Sequence, residues 1–250
     1  GAPRRVIRSQ AKRLRAPLLE IDACRIALRG ERQGHCMIDL ETPVRKYCNL
    51  KLPLAGTYQA ENTALAVAAI ELLEAFPVKV SDIRRGLAGV RWAGRLDEYA
   101  SKRKTLLDGA HNPDAAQRLR DYLLERKETE IHLVFGAVRD KNIREVAASL
   151  FPLAETIQLT PLTNTRSALP EDIAAMTPRF RTRISAHSDM RKALNAAWNL
   201  CSPQGLVVVT GSLYLVGELL PVVRRYTEPN PVKGRTLRTS STLSYKTASQ

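Results

Sequence analysis

From Leu96 onward, short apolar runs recur along the chain: TLLD, EIHLVFG, ETIQLT, RTRISA and GLVVVTG. Turn residues or charges bound each run, the mark of a buried strand. Between them, helical patterns fall at 112–126, 141–151, 170–176, 188–200 and 212–223. Strands that alternate with helices imply βαβ units and a mainly parallel sheet. The expected fold class is therefore α/β, with one doubly wound domain of about 130 residues over 96–225.

The earlier part of the chain has a different rhythm. Residues 17–54 carry short strand-like pieces such as HCMIDL and YCNLKL, separated by charged or glycine-containing turns. YQAENTALAVAAIELLEAF is rich in Ala and Leu and stops before Pro77, which predicts a buried helix of about four turns or more. SDIRRGL predicts a short helix with Ser81 as its N-cap. The stretch after Tyr226, rich in Ser, Thr and Pro, predicts a disordered tail over 226–250.

Charge changes this picture little. Of a net +14, residues 1–16 hold six basic and no acidic side chains, and residues 224–250 hold six basic and one acidic, which leaves +3 between them. Charge placed at the ends reads as solvated arms, and without aromatic interleaving or zinc-ligand spacing nucleic acid is not an expected partner. No apolar run approaches the ~18 residues of a membrane span, and no secretory pattern opens the chain, so a cytoplasmic protein is expected. Cys24, Cys36, Cys48 and Cys201 lack C-x-x-C spacing and read as reduced thiols.

The candidate chemistry lies where the strands end, since open α/β sheets bind ligands beyond their carboxyl ends. In TLLDGAHNPDAAQRL, Asp108 closes a strand and Asn112-Pro113 supplies an N-cap and a first-turn proline. Asp108 and His111 would then share a rim loop. There the Asp accepts hydrogen bonds from ribose or ammonium groups and the His donates to a carboxylate or phosphate, or the two serve as a turn aspartate and an exposed loop histidine. Gly136 in VFGAVRDKN would let backbone approach a ligand, while Asp140 and Lys141 read as ligand contacts or helix-start charges. Thr210-Gly211-Ser212 suits either an anion or plain helix capping. A Walker phosphate loop, a G-x-G-x-x-G fingerprint, G-x-S-x-G and zinc-helix patterns are all absent from these residues.

Taken in order, LAGTYQAENTALAVAAIELL, VRWAGRLDEY, LLDGAHNPDAAQRL, LVFGAVRDKN and VVVTGSLYLVGEL resemble the C-terminal part of folylpolyglutamate and dihydrofolate synthases. These are ATP-dependent amide ligases of the Mur ligase superfamily. The resemblance spans roughly residues 35–220. It implies the end of a central ATPase domain at 1–85, a linker at 86–95 and a Rossmann-like glutamate ligase domain at 96–225. By the same resemblance Asn62, Arg95 and Asp108 contact ATP, while His111 and Ser212 lie near the incoming L-glutamate. Asp108 and His111 are the implied catalytic pair. ATP would phosphorylate a folate or dihydropteroate carboxylate, and the glutamate amine would attack the acyl phosphate. The family's P-loop, Mg2+ ligands and carbamylated lysine are expected upstream of Gly1, so the chain alone is expected to be inactive, and a monomer is expected. Two other readings stay open: a non-catalytic nucleotide- or glutamate-binding module, and a basic protein associated with nucleic acid.

Overall fold

A computed structural model describes residues 2–32, 35–73, 76–100, 103–126, 128, 130–139 and 142–226. Asp140, Lys141 and residues 227–250 of the expected tail lie outside them.

The second half of the chain folds as its alternating pattern predicts. Strands β5 (Thr105–Leu107), β6 (Ile131–Phe135), β7 (Thr156–Leu159), β8 (Ile184–Ala186) and β9 (Leu206–Thr210) pair in parallel in the order β5-β9-β6-β7-β8. The short strand β4 (Asp97–Tyr99) adds antiparallel to β5 at the sheet edge. Helices α4 (Pro113–Leu124), α5 (Ile143–Leu150) and α6 (Pro170–Met176) cover one face, with α7 (Met190–Leu200) and α8 (Leu213–Tyr226) on the other.

The two-residue period of the strands sorts side chains between those layers. Leu106, Leu133, Leu206 and Val208 pack toward α4 and α5. Leu107, Val134, Val207 and Val209 pack toward α7 and α8. At about 1.5–3 kcal/mol for each such side chain removed from water, these two layers hold the sheet. A fully buried Thr105 accepts a 2.9 Å hydrogen bond from the Trp198 indole, tying α7 to β5.

The first half forms a three-stranded antiparallel sheet from β1 (Arg25–Arg32), β2 (His35–Glu41) and β3 (Lys46–Leu52). Cys36, Ile38, Leu40, Tyr47, Leu50 and Leu52 make its core with helices α2 (Gln59–Glu71) and α3 (Val80–Ala88). Two expectations need correction. Helix α2 is buried on one face only, through Gln59, Ala60, Thr63, Ala64, Val67 and Ala68, and Leu65, Leu72 and Leu73 are exposed. The N-cap of α3 is Lys79, whose N–H donates to Asp82 at 3.3 Å, so Ser81 sits inside the first turn. Ahead of the sheet, α1 (Ala2–Leu14) is a basic helix pinned by ion pairs from Arg4 and Arg8 to Glu20. No helix of the described residues is long and apolar enough to cross a membrane.

One ionic cluster couples the domain to pH. Glu128 accepts two 2.9 Å bonds from Arg126 and one of 2.5 Å from Lys104. Arg126, then Lys104, hold its carboxyl down at about 2. A depressed carboxyl contributes stability above its ordinary value of about 4.3, and loses it as pH falls through the folded value. The melting temperature should therefore fall between about pH 4.5 and 2, more shallowly in Glu128→Gln. Equal slopes in the two proteins would refute this assignment.

Candidate active site

The loop after β5 is built by its own side chains. Asn112 caps α4, its Oδ1 accepting from Ala115 N–H at 2.8 Å, with Pro113 in the first turn as the sequence predicts. Asp108 is buried, at 4% exposure, and accepts from Ala110 N–H at 2.9 Å and from Leu96 N–H at 3.0 Å. The first bond closes an aspartate turn. The second reaches across to the residue after Arg95, where the chain takes a left-handed backbone (φ 47° at Leu96). Burial pushes the Asp108 carboxyl up; the two amides, then Arg95 and His111, pull against that shift. His111 Nδ1 lies 2.8 Å from the Gly109 carbonyl.

This loop faces α2 across a cleft of about 550 Å³. Asn62, Arg95, Asp108 and His111 all line it. Asn62 donates to Gln59 Oε1 at 3.0 Å on α2, and Arg95 is half-buried on the connection between the two units. Its lining mixes apolar side chains, Leu52, Leu54, Leu87, Val90 and Trp92 among them, with these polar and charged groups. That mixture suits a ligand with both apolar and polar parts.

Ser212 stands apart. It is buried, its Oγ accepts from Tyr214 N–H at 3.1 Å, and it is absent from the cleft lining. That contact is the helix-capping alternative. At Gly136 a Cβ would lie 2.8 Å from the Thr160 carbonyl, so the glycine makes room for neighbouring backbone.

The sequence reading passed over one pair. Arg118 on α4 lies over the Tyr58 ring, 5.1 Å from its centroid, and bonds Asp114 at 3.1 Å. The contact joins the two units across the cleft. Burial pushes the Tyr58 hydroxyl up to about 12, Asp108's charge adding to the shift and Arg95 opposing it. Helical spacing was the available signal, since Ala115, Arg118 and Leu119 fall on the face of α4 beneath its N-cap.

With this geometry in view, residues 94–213 match the family described as Mur ligase, glutamate ligase domain. Over these residues the chain is similar to the Mur ligases. The chain resembles the C-terminal part of the folylpolyglutamate and dihydrofolate synthases. It is 31% identical over 170 residues to the folylpolyglutamate synthase of Lacticaseibacillus casei, covering 67% of this chain and 39% of that protein. The dihydrofolate synthase/folylpolyglutamate synthase of Bacillus subtilis is 27% identical over 219 residues, which is 86% of this chain and 50% of that one. Among solved structures, the Mycobacterium tuberculosis folylpolyglutamate synthase complexed with ADP superposes with a TM-score of 0.82. It covers 90% of this chain and 53% of its own; at 24% identity the likeness speaks for the fold alone. The Yersinia pestis bifunctional folylpolyglutamate synthase/dihydrofolate synthase complexed with AMPPNP and Mn ion has a TM-score of 0.72 at 25% identity, covering 87% of this chain and 50% of its own. The chain thus spans about half the length, or less, of the curated relatives it matches.

Proposed function

We propose that this chain is the C-terminal portion of an ATP-dependent ligase that adds L-glutamate to a folate or dihydropteroate carboxylate through an acyl phosphate. The domain division proposed with it is a central-domain remnant at 1–85, a linker at 86–95, the glutamate ligase domain at 96–225 and a tail at 226–250. The observation that carries the reading is the cleft itself, which gathers Asn62, Arg95, Asp108 and His111 from both units. The four free cysteines fit a reducing cytoplasm.

On this reading the nucleotide lies in the cleft, its base toward Leu87, Val90 and Trp92. Arg95 offers a planar fork of donors to phosphate oxygens, which a lysine would match less well. Attack of the glutamate amine on the acyl phosphate raises a tetrahedral oxyanion, and fixed cations and dipoles are the main means of stabilising it. Asp108, with each oxygen already holding an amide, acts by fixing the Arg95–Leu96 backbone beside the ligand. His111 and Ser212 are the proposed glutamate contacts. Among the described residues the cleft's carboxylates are already engaged, Asp108 by two amides and Asp114 by Arg118. The proposal accordingly assigns the P-loop and Mg2+ ligands to the upstream half of the enzyme.

Amide hydrogen exchange of the chain with and without millimolar ADP tests the nucleotide site. Slower exchange is expected in 58–66, 92–97 and 108–119. No slowing, or slowing confined to other segments, would refute it.

A further inference from the structure

At the opposite end of the sheet, three groups of metal-binding chemistry meet. Glu130 precedes β6, His132 is its second residue, and Cys201 ends α7. One ligand atom from each lies within 4.8 Å of the others, and among the described residues no other His, Cys, Asp and Glu form such a trio. His132 and Cys201 are buried, while the Glu130 side chain is 24% exposed and opens the trio to solvent.

Two further observations distinguish this place from an ordinary hydrogen-bond network. The first is close packing. A Cβ on Gly205 would lie 2.7 Å from Cys201 Sγ and 3.2 Å from Glu130 Oε1, so only a glycine lets the loop before β9 close over two of the three groups. The second is an orienting partner. His132 Nδ1 lies 2.8 Å from Thr156 Oγ1, which also accepts from Gln158 at 3.1 Å. That arrangement aims Nε2 at Glu130 Oε1, 2.8 Å away. Metal-bound histidines are held in this manner by the nitrogen that does not bind.

We propose that Glu130, His132 and Cys201 form a binding site for a borderline-soft divalent cation of the zinc class, separate from the nucleotide cleft. Thiolate and imidazole select such an ion over Mg2+ or Ca2+, which prefer oxygen ligands throughout. A tetrahedral zinc with ligands at about 2.0–2.3 Å spaces its ligand atoms roughly 3.3–3.7 Å apart, so on loading the 2.8 Å His132–Glu130 pair opens by about 0.5 Å and the ion takes the place of that hydrogen bond. Glu130 also accepts from Ser202 N–H at 2.8 Å and from the Ser202 hydroxyl. Ser202 or a water supplies the fourth position. The Cys201 thiol gives its proton to solvent, and the imidazole proton passes from Nε2 to Nδ1, where Thr156 Oγ1 accepts it. The ion would clamp the start of β6 to the loop between α7 and β9.

The test is a Co2+ titration of the untagged, reduced chain, followed by its thiolate-to-cobalt charge-transfer and visible bands. One saturable equivalent, displaced by Zn2+, is expected. Cys201→Ser should abolish the charge-transfer band, whereas Cys48→Ser should leave it intact. Thr156→Val, which keeps all three ligands, should weaken Co2+ binding about 10-fold or more. Circular dichroism melts of the metal-free proteins establish that each variant folds. If Cys201→Ser does not fold, the Thr156→Val titration decides. Absence of a saturable band, an unchanged band in folded Cys201→Ser, or unchanged affinity in Thr156→Val would each overturn the site.

Discussion

Asp108→Asn should lower the melting temperature of the chain by about 5 °C and, in an enzyme completed with its upstream half, cut kcat/KM about 10²-fold. Both effects have the same origin. Each Asp108 oxygen accepts one backbone N–H, from Ala110 and from Leu96. An asparagine offers one oxygen and one NH2, so one buried amide meets a donor instead of an acceptor. That loss costs about 1–3 kcal/mol, and ~2 kcal/mol corresponds to roughly 5 °C for a domain of this size. The amide most exposed to the change is that of Leu96, whose left-handed backbone follows Arg95 directly. On the proposed reading, freeing it would displace Arg95 relative to the nucleotide's phosphates, and misplacement on the order of 1 Å can cost about 10² in rate. Kinetics measured well below the melting temperature separate the two effects. A folded Asp108→Asn enzyme within about threefold of wild type would make Asp108 a turn residue and nothing more.

Arg95→Ala should have the larger catalytic effect and the smaller structural one. Arg95 is half-buried at the cleft and adds nothing to either hydrophobic layer of the sheet. Its removal should leave the melting temperature almost unchanged. Loss of one preorganised donor aimed at developing negative charge typically costs about 10²–10³-fold, and a guanidinium engaging phosphate belongs at the upper end. Arg95→Lys keeps the charge and loses the fork, so an intermediate defect is expected. Equal turnover in Arg95→Lys and Arg95→Ala would mean that geometry contributes more than charge.

What could be read from the amino-acid order follows the reach of each physical signal. The parallel sheet was legible because its strands are continuous apolar runs closed by glycine or charge, and Asn112-Pro113 announced a helix start unaided. Strand β4 was not, since three residues at a sheet edge carry too little alternation to register. Helix α1 was read only as a charged end, because its basic residues mask any apolar stripe and its anchors, Glu20 and Asp22, act through tertiary ion pairs. Among the site residues, Asp108 and His111 were placed by local grammar, and Asn62 and Arg95 by resemblance. Their meeting in one cleft depends on how two units pack, which no local pattern records. The Arg118–Tyr58 contact is of the same kind, joining residues 60 positions apart. Gly136 shows the converse, a local signal of close approach, met here by the backbone of Thr160.

The glutamate ligase reading meets its most direct test in product formation. The chain, fused to the upstream half of a folylpolyglutamate synthase, would be incubated with ATP, L-glutamate and either folate or dihydropteroate, and the products read by mass spectrometry. The fusion should extend one acceptor by a glutamate, Arg95→Ala should do so about 10³-fold more slowly, and the 250-residue chain alone should stay at the no-enzyme level. A folded fusion that yields no glutamylated product, or an Arg95→Ala fusion as fast as wild type, would contradict it.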